Sequence, residues 1–274
     1  MILHFVAHAL PGGYPLSNAR ACWRLWTALR RALAEVYAAC LMPNHLHLIV
    51  PARDAGSLRR RVIPVLVGFA QAEGGGPVWQ RFAQPTLVRD SSKLAREIRY
   101  VLLNPTRARL VRDPASHVWS TYRDVIGATL DPWVDAAALA GSLGHDVDGF
   151  TDWFHRYVSC DPSVAIAGTA PPLAAPPRTG TATPLERIAP AARAAAATAL
   201  TTERARQSIF RRAYILTARH QGWRRAAPLA AALGVSVETV RRHARSPGDR
   251  LLEVTRLYLG DDRLLSRARF LRAA

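Results

Sequence analysis

Residues 41–50 have the sequence LMPNHLHLIV, which is the most informative stretch in the first half of the chain. The pair Pro43-Asn44 is typical of a tight turn, and the apolar runs on either side of it are typical of strands. The stretch therefore predicts a β-hairpin whose strands span residues 35–42 and 46–51. Its register decides which side chains share a face, because successive side chains alternate across a strand.

His45 and His47 lie two residues apart on the second strand of this hairpin, so we expect them on one face, roughly 6.6 Å apart. Leu46 and Leu48 then face the opposite layer. Two imidazoles in this arrangement can bind one divalent cation. A purely structural role for such a pair remains an open alternative at this point.

The segments around the hairpin have the periodicity of strands or helices. They are a strand at Leu3–Ala9, a helix capped by Ser17 or Asn18, a helix at Ser57–Ala72, a strand at Trp79–Val88, and a helix capped by Ser91 or Ser92 that runs to about Asn104. The order β-α-β-β-α-β-α predicts a ferredoxin-like α+β sandwich, an antiparallel sheet with helices on one face, followed by one appended helix. Pro64 is expected to end or kink the second helix, and Pro85 to place the fourth strand at an edge or bulge.

The chain is strongly basic: its 274 residues include 37 Lys plus Arg against 20 Asp plus Glu, a net charge of +17. Such an excess favours an anionic partner, above all nucleic acid. Lys93 is the only lysine, so the arginine total also reflects codon usage in a GC-rich genome. Residues 1–160 carry 18 basic and 12 acidic side chains, whereas residues 161–274 carry 19 and 8, so the excess charge is concentrated in the second half.

Several classes of protein fit this composition poorly. No stretch approaches the ~18 consecutive apolar residues of a membrane span, and the N-terminus lacks the charged region of a signal peptide. Three scattered cysteines are too few for a disulfide framework or a thiolate zinc site. These features predict a cytoplasmic, nucleoid-associated protein that contacts no membrane and is a monomer or a homodimer.

The domain organisation follows from the composition along the chain. Residues 1–160 are predicted to form the α+β domain. Residues 161–190 are rich in Pro, Ala, Thr and Gly without sustained periodicity, which predicts an interdomain linker. Residues 191–274 are predicted to form a smaller helical domain.

The appended helix of the first domain has the sequence LAREIRYVLLNP over residues 94–105. Tyr100 and Asn104 are four residues apart, so they lie on one helical face. A phenol, a carboxamide and the two imidazoles could therefore meet at one site. Considered from the helix alone, the pattern favours an ordinary core residue of an amphipathic helix at Tyr100.

Four segments, LMPNHLHLIV, WQRF at 79–82, RYVLLNPTRARLV at 99–111 and HVWSTY at 117–122, together resemble the HUH-type single-tyrosine transposases. The resemblance is greatest to the REP-associated tyrosine transposases and covers roughly residues 1–160. It implies that His45, His47 and Asn104 bind Mg²⁺ or Mn²⁺ and that Tyr100 is the nucleophile. The implied substrate is single-stranded DNA beside a hairpin formed by a palindromic repeat.

The implied chemistry suits these residue types. A divalent cation stabilises charge on a phosphodiester and orients it. Tyrosine forms a covalent 5′-phosphotyrosine intermediate, which divides one strand transfer into two reversible steps. Arginines around the tyrosine helix and in WQRF are candidates for DNA phosphate contacts. The alternative is a solvated helix face for the arginines around the tyrosine helix, and for Arg81 in WQRF the end of a strand. These arginines are Arg81, Arg96, Arg99, Arg107 and Arg109.

Residues 229–243 of the C-terminal part have the spacing of a helix-turn-helix, with Gly234 at the turn and Ser236 as the cap of the second helix. This segment resembles helix-turn-helix modules, including the C-terminal domain of the replication initiator DnaA. Thr239, Arg241 and Arg242 are then candidates for contacts with duplex DNA. A plain three-helix bundle with an arginine-rich surface is the alternative.

The sequence thus predicts a metal-dependent single-strand DNA endonuclease and strand transferase, a transposase, that acts through Tyr100. Two alternatives stay open. One is a domesticated DNA-binding protein or transcriptional regulator that keeps the fold without turnover, and the other is a relaxase or replication initiator that uses the same chemistry.

Overall fold

The computed structural model describes residues 1–159, 182–245 and 248–265 of the chain. The described residues form two compact units: one contains 1–126 and 132–159, and the other contains 127–131 together with the described residues after 181. Residues 161–181 of the predicted linker lie outside the described part. Within that part, no helix combines the length and the apolar character needed to cross a membrane.

The first unit is a mixed α+β unit built on a four-stranded antiparallel sheet. Its elements are β1 (Ile2–His8), α1 (Ala19–Ala32), β2 (Ala38–Met42), β3 (His45–Pro51), α2 (Ala55–Ala72), β4 (Thr86–Val88), α3 (Ser91–Arg107), a 3-10 turn (Pro114–Ser116), α4 (Tyr122–Val125), α5 (Ala136–Leu143) and α6 (Phe150–Ser159). The strand order is β2-β3-β1-β4. This is the β-α-β-β-α-β connectivity that the sequence predicts.

The two faces of the sheet differ in chemistry. The register of β1 against β3 pairs His8 with His45 and Val6 with His47, so all four histidines of these strands, including His4, lie on one face. The other face bears fully buried apolar side chains, among them Leu3, Phe5, Leu46 and Leu48. Because parallel crossovers are right-handed, α1 and α2 lie on the same side of the sheet, and they cover this apolar face.

Helix α3 corrects the prediction that helices occupy one face only. Glu97 and Tyr100 of α3 contact His4 and His47, so this helix lies over the histidine face. The helix is amphipathic, and its buried side packs on β2 and β3. The sheet is therefore covered on both sides.

The boundaries of several elements differ from the predicted ones. Helix α2 begins after Asp54, which caps it in a capping box, and it runs through Pro64 without a break. Pro64 is exposed, so the carbonyl group that loses its intrahelical donor faces water. Helix α3 is capped by Asp90 rather than by a serine, and it continues three residues past Asn104. Asn18 caps α1, as predicted.

The predicted fourth strand is only partly formed. Trp79 makes an isolated bridge to Ala9, and regular pairing resumes only at Thr86–Val88, at the edge of the sheet beside β1. Pro85, which has no N–H to donate, immediately precedes this short strand.

The second unit is entirely helical within the described residues. Its helices are α7 (Leu185–Ala196), α8 (Glu203–His220), α9 (Ala226–Leu233), α10 (Val237–Ala244) and α11 (Asp249–Gly260). Helix α7 begins inside the range 161–190 that we predicted as a linker, and its Ile188 is fully buried in the core of this unit together with Ile215 and Leu229. The linker prediction was therefore too long at its C-terminal end, because the alanine-rich sequence forms a helix although Pro190, which is exposed, lies in its middle.

Candidate metal and nucleophile site

The histidine pair lies where β3 begins, on the face covered by α3. His47 is buried, at 4% exposure, whereas His45 is half-buried at the edge of the turn. The two ring centroids are 4.9 Å apart and the rings are nearly perpendicular. The structure thus brings these two side chains together as the strand periodicity predicts.

Tyr100 reaches this site from α3. Its ring meets His47 edge-on, with the centroids 5.8 Å apart, yet the tyrosine side chain remains 45% exposed. A nucleophile needs this combination of a fixed ring and an accessible hydroxyl group. The ordinary core residue considered as the alternative is excluded by this exposure.

His4 and Glu97 extend the site in a way that sequence reasoning missed. His4 Nε2 and His47 Nδ1 lie 3.0 Å apart and share a hydrogen bond. His4 Nδ1 lies 3.0 Å from the Glu97 carboxylate on α3. No pattern within a single segment indicates His4, because only the long-range pairing of β1 with β3 places it beside His47.

Three imidazoles of this face, those of His4, His45 and His47, have lowered pKa values. Burial, together with the neighbouring His4, His45 and His8, lowers the pKa of His47 to about 3. Burial and the adjacent His8 also lower the pKa of His45. Burial lowers the pKa of His4 although Glu97 opposes the shift. Neutral imidazole is the form that binds metal ions, so these residues are prepared for that role.

Two buried polar atoms of the site have no hydrogen-bond partner among the described residues. They are His47 Nε2 and the side-chain amide nitrogen of Asn104. A buried polar atom without a partner costs on the order of 1–3 kcal/mol, so such atoms call for a ligand. Rotation of the Asn104 side-chain amide by about 180° presents its oxygen, the atom that can bind a metal ion, in place of this nitrogen.

The donor set fits a divalent cation. His45 Nδ1 donates to the Asn44 side-chain oxygen at 2.8 Å, and His47 Nδ1 is hydrogen-bonded to His4. Because Nδ1 is occupied in both histidines, Nε2 is the nitrogen left to bind a metal ion. With metal–nitrogen bonds of about 2.1 Å, two imidazoles on one ion have centroids roughly 4.5 to 5.5 Å apart, which includes the spacing seen here. No cluster of three His, Cys, Asp or Glu side chains suited to a metal occurs in the described ranges. The predicted set of two histidines and the amide of Asn104 contains only two such side chains, and as a ligand set it stays a prediction.

Two of the candidate arginines have defined contacts. The Arg107 guanidinium lies over the Tyr100 ring, 5.5 Å from its centroid, which keeps a positive charge beside this side chain. Arg99 Nε donates to the Tyr157 carbonyl oxygen at 2.8 Å, and its guanidinium stacks on the Tyr157 ring. Arg99 thus joins α3 to α6, which favours a structural role over a DNA contact.

The other three candidate arginines of the first unit, those proposed to contact phosphate, are exposed. Arg96 donates to the Ser92 hydroxyl at 3.0 Å on the surface of α3. Arg109 follows the end of α3 with a positive φ of 57°. Arg81 lies between the Trp79 bridge and β4. All three are accessible to a phosphate group. None of them takes part in the contacts described above between the histidines and Tyr100.

In the second unit, α9 and α10 are joined by a three-residue turn. Gly234 adopts the left-handed conformation that a glycine tolerates, and Ser236 caps α10 by accepting from the Thr239 N–H at 3.1 Å. The Thr239 hydroxyl shares a hydrogen bond with Ser236, so it takes part in this cap. Arg241 forms an exposed ion pair with Glu238.

A cluster of arginines surrounds His243 on α10. Burial lowers the pKa of His243, and the positive charges of Arg242, Arg212 and Arg211 lower it further. Arg212 Nε is buried and has no hydrogen-bond partner among the described residues. Only Arg242 of these three is predictable from its own segment, because the packing of α8 against α10 brings the other two to this surface.

No protein-family model matches the chain, and no curated protein matches it. Among solved structures, the chain is similar to one described as "Structure of the REP associates tyrosine transposase bound to a REP hairpin". The match is 21% identical, covers 45% of this chain and 78% of that one, and has a TM-score of 0.37. At these values the similarity assigns no activity, so the functional assignment depends on the residues of this chain.

Proposed function

We propose that this chain is a divalent-metal-dependent endonuclease and strand transferase that cleaves single-stranded DNA beside hairpins through Tyr100. The observation that carries the proposal is the meeting of His45, His47 and Tyr100 on one face of the sheet, with unpartnered polar atoms on His47 and Asn104. The motifs shared with HUH-type single-tyrosine transposases and the charge of +17 support DNA as the substrate.

The covalent chemistry belongs to Tyr100. Its hydroxyl oxygen attacks the scissile phosphorus and loses its proton, while the bond from phosphorus to the 3′ oxygen breaks and that oxygen leaves as a 3′-OH. The 5′ end of the downstream DNA remains on the enzyme as a phosphotyrosine. Attack by a second 3′-OH on this phosphotyrosine joins the strands and restores the phenol, so bonds and protons balance over the two steps.

The neighbouring side chains orient and stabilise the reacting groups. His45, His47 and Asn104 would hold Mg²⁺ or Mn²⁺, which when bound supplies Lewis-acid stabilisation of the non-bridging phosphate oxygens. His47 also fixes the tyrosine ring by its edge-on contact. Arg107, placed over that ring, adds a positive charge where the phosphate charge accumulates.

The decisive experiment is incubation of the full chain with a labelled single-stranded hairpin and Mn²⁺. We expect a covalent protein–DNA adduct that survives denaturing electrophoresis, forms with Mn²⁺ and is absent with EDTA. A hairpin without single-stranded flanks is the control and should give none. Tight binding without any adduct would refute the proposal and favour the alternative, a DNA-binding protein of the same fold without turnover.

For the second unit we propose binding to duplex DNA through α10 and the arginine cluster of Arg211, Arg212 and Arg242. Support comes from the unpartnered Arg212 Nε and from the positive charges that converge on His243. Arginine binds phosphate with paired N–H groups, and each such contact releases counterions.

Loss of this cluster is expected to weaken binding in a salt-dependent way. The double substitution Arg212→Gln and Arg242→Gln should lower duplex affinity about tenfold at 0.1 M salt and reduce the salt slope by about 2. The slope is measured by fluorescence anisotropy over a salt series. The matched control is Arg250→Gln, because that arginine is exposed and already paired with Glu253. Equal slopes for the two proteins would contradict the assignment.

A further inference from the structure

Glu97, His4 and His47 form a continuous chain of hydrogen bonds that crosses from α3 through β1 to β3. The Glu97 carboxylate lies 3.0 Å from His4 Nδ1, and His4 Nε2 lies 3.0 Å from His47 Nδ1. Nothing in the covalent chemistry of Tyr100 requires Glu97 or His4. This chain of hydrogen bonds ends at His47 Nε2, the buried atom that has no hydrogen-bond partner within the described residues.

The proton positions along this chain follow from its chemistry. A carboxylate only accepts hydrogen bonds, so the proton between Glu97 and His4 resides on His4 Nδ1. A neutral His4 then has a lone pair on Nε2, which accepts from the Nδ1–H of His47. The remaining nitrogen of His47, Nε2, is left with its lone pair exposed to the site. Without the carboxylate, either tautomer of His47 satisfies the contact with His4.

We propose that Glu97 and His4 are positioning residues that hold His47 in the Nδ1–H tautomer and thereby present Nε2 to the cation. This inference rests on the proposed function, because it assigns Glu97 and His4 to the same metal and tyrosine site. A histidine ligand whose other nitrogen donates to a carboxylate or an equivalent acceptor is a recurrent device in metal proteins. Here the carboxylate acts through an intervening imidazole.

The same carboxylate also positions the nucleophile. Glu97, Tyr100 and Asn104 follow one another at spacings of three and four residues, so they occupy one face of α3. The hydrogen bond between Glu97 and His4 therefore joins the sheet to the face of α3 that carries Tyr100 and Asn104. One hydrogen bond sets both the tautomer of His47 and the placement of the helix.

The test measures the tautomer and the metal affinity of the full chain without DNA. Long-range proton–nitrogen NMR spectra of the metal-free protein are expected to show His47 as the Nδ1–H tautomer. In Glu97→Ala, we expect a substantial population of the Nε2–H tautomer and a 10- to 100-fold loss of Mn²⁺ affinity by calorimetry. In Glu97→Gln, the amide oxygen still accepts from His4, so the tautomer is kept and the affinity stays within about threefold.

The matched control is Glu73→Ala, which removes a carboxylate paired with Arg24 in the same unit. It should leave both readouts unchanged. The proposal falls if Glu97→Ala keeps the wild-type tautomer and Mn²⁺ affinity, or if wild-type His47 carries its proton on Nε2. Neither readout depends on cleavage, so an absent protein–DNA adduct would refute the proposed function while leaving this inference to be decided by the spectra.

Discussion

Replacing Tyr100 by phenylalanine is expected to abolish the covalent protein–DNA adduct, a loss of at least about 10³-fold, because the attacking oxygen is removed. Hairpin affinity should stay within about twofold of the wild type. The ring contacts with His47 and Arg107 do not involve the hydroxyl group, so phenylalanine keeps them. The adduct is measured by denaturing electrophoresis, and the affinity by anisotropy in EDTA.

Tyr14→Phe is the matched control. Tyr14 belongs to the same unit and is exposed at 61%, so its hydroxyl is at least as accessible as that of Tyr100. It should form the adduct at the wild-type rate, since exposure alone does not make a nucleophile. An adduct formed at a wild-type rate by Tyr100→Phe would place the nucleophile elsewhere and refute the proposed reaction.

Local patterns were enough to predict the sheet and the histidine pair. A turn pair between two apolar runs predicts the hairpin, and the alternation of a strand places His45 and His47 on one face whatever the rest of the chain does. Helical periodicity likewise places Tyr100 and Asn104 together. These relations depend on residues within one element, which is why they were accessible from the sequence.

Relations between distant elements were not accessible in this way. His4 lies beside His47 because β1 pairs with β3 in one particular register, and its partner Glu97 comes from a helix more than 90 residues further along the chain. Likewise, Arg212 reaches the surface of α10 only because α8 packs against it. No periodicity in a single segment reports such packing. The residues that the sequence did not predict are those whose contacts join separate helices and strands.

The boundaries were missed for a different reason. Proline and alanine-rich composition predicted breaks at Pro64 and within residues 161–190, yet a helix tolerates an interior proline where the freed carbonyl faces water, and Pro64 and Pro190 are both exposed. Tertiary burial of Ile188 then stabilises the helix that composition alone disfavours. Packing overrides local preference in both places.

The same logic distinguishes a binding site from a structural one. A residue kept for stability satisfies its polar atoms within the fold, whereas a residue kept for a ligand leaves them unpaired at a cost in stability. His47 and Asn104 each have such an unpaired buried atom within the described residues, and the proposed function assigns both to the cation. Their substitution should therefore have opposite effects on the stability of the metal-free protein and on its activity.

Asn104→Leu is the sharpest form of this prediction. Leucine has a similar size, a higher helix propensity and no unpaired amide, so the free energy of unfolding of the metal-free protein should rise by about 1 kcal/mol. Loss of a metal-binding oxygen should at the same time reduce adduct formation on the order of 100-fold. Stability is measured by urea unfolding in EDTA, and activity by the rate of adduct formation with Mn²⁺.

Asn104→Asp provides the matched control, since it keeps an oxygen donor of the kind that Mg²⁺ and Mn²⁺ prefer. It should retain adduct formation within about tenfold. It should not stabilise the metal-free protein, because a carboxylate near the C-terminal end of α3 meets the negative end of the helix dipole. The two variants therefore separate the effect of the donor atom from the effect of the fold. If Asn104→Leu instead destabilised the protein by more than 1 kcal/mol, or cleaved as fast as Asn104→Asp, Asn104 would be a structural residue and the cation would need a different third ligand.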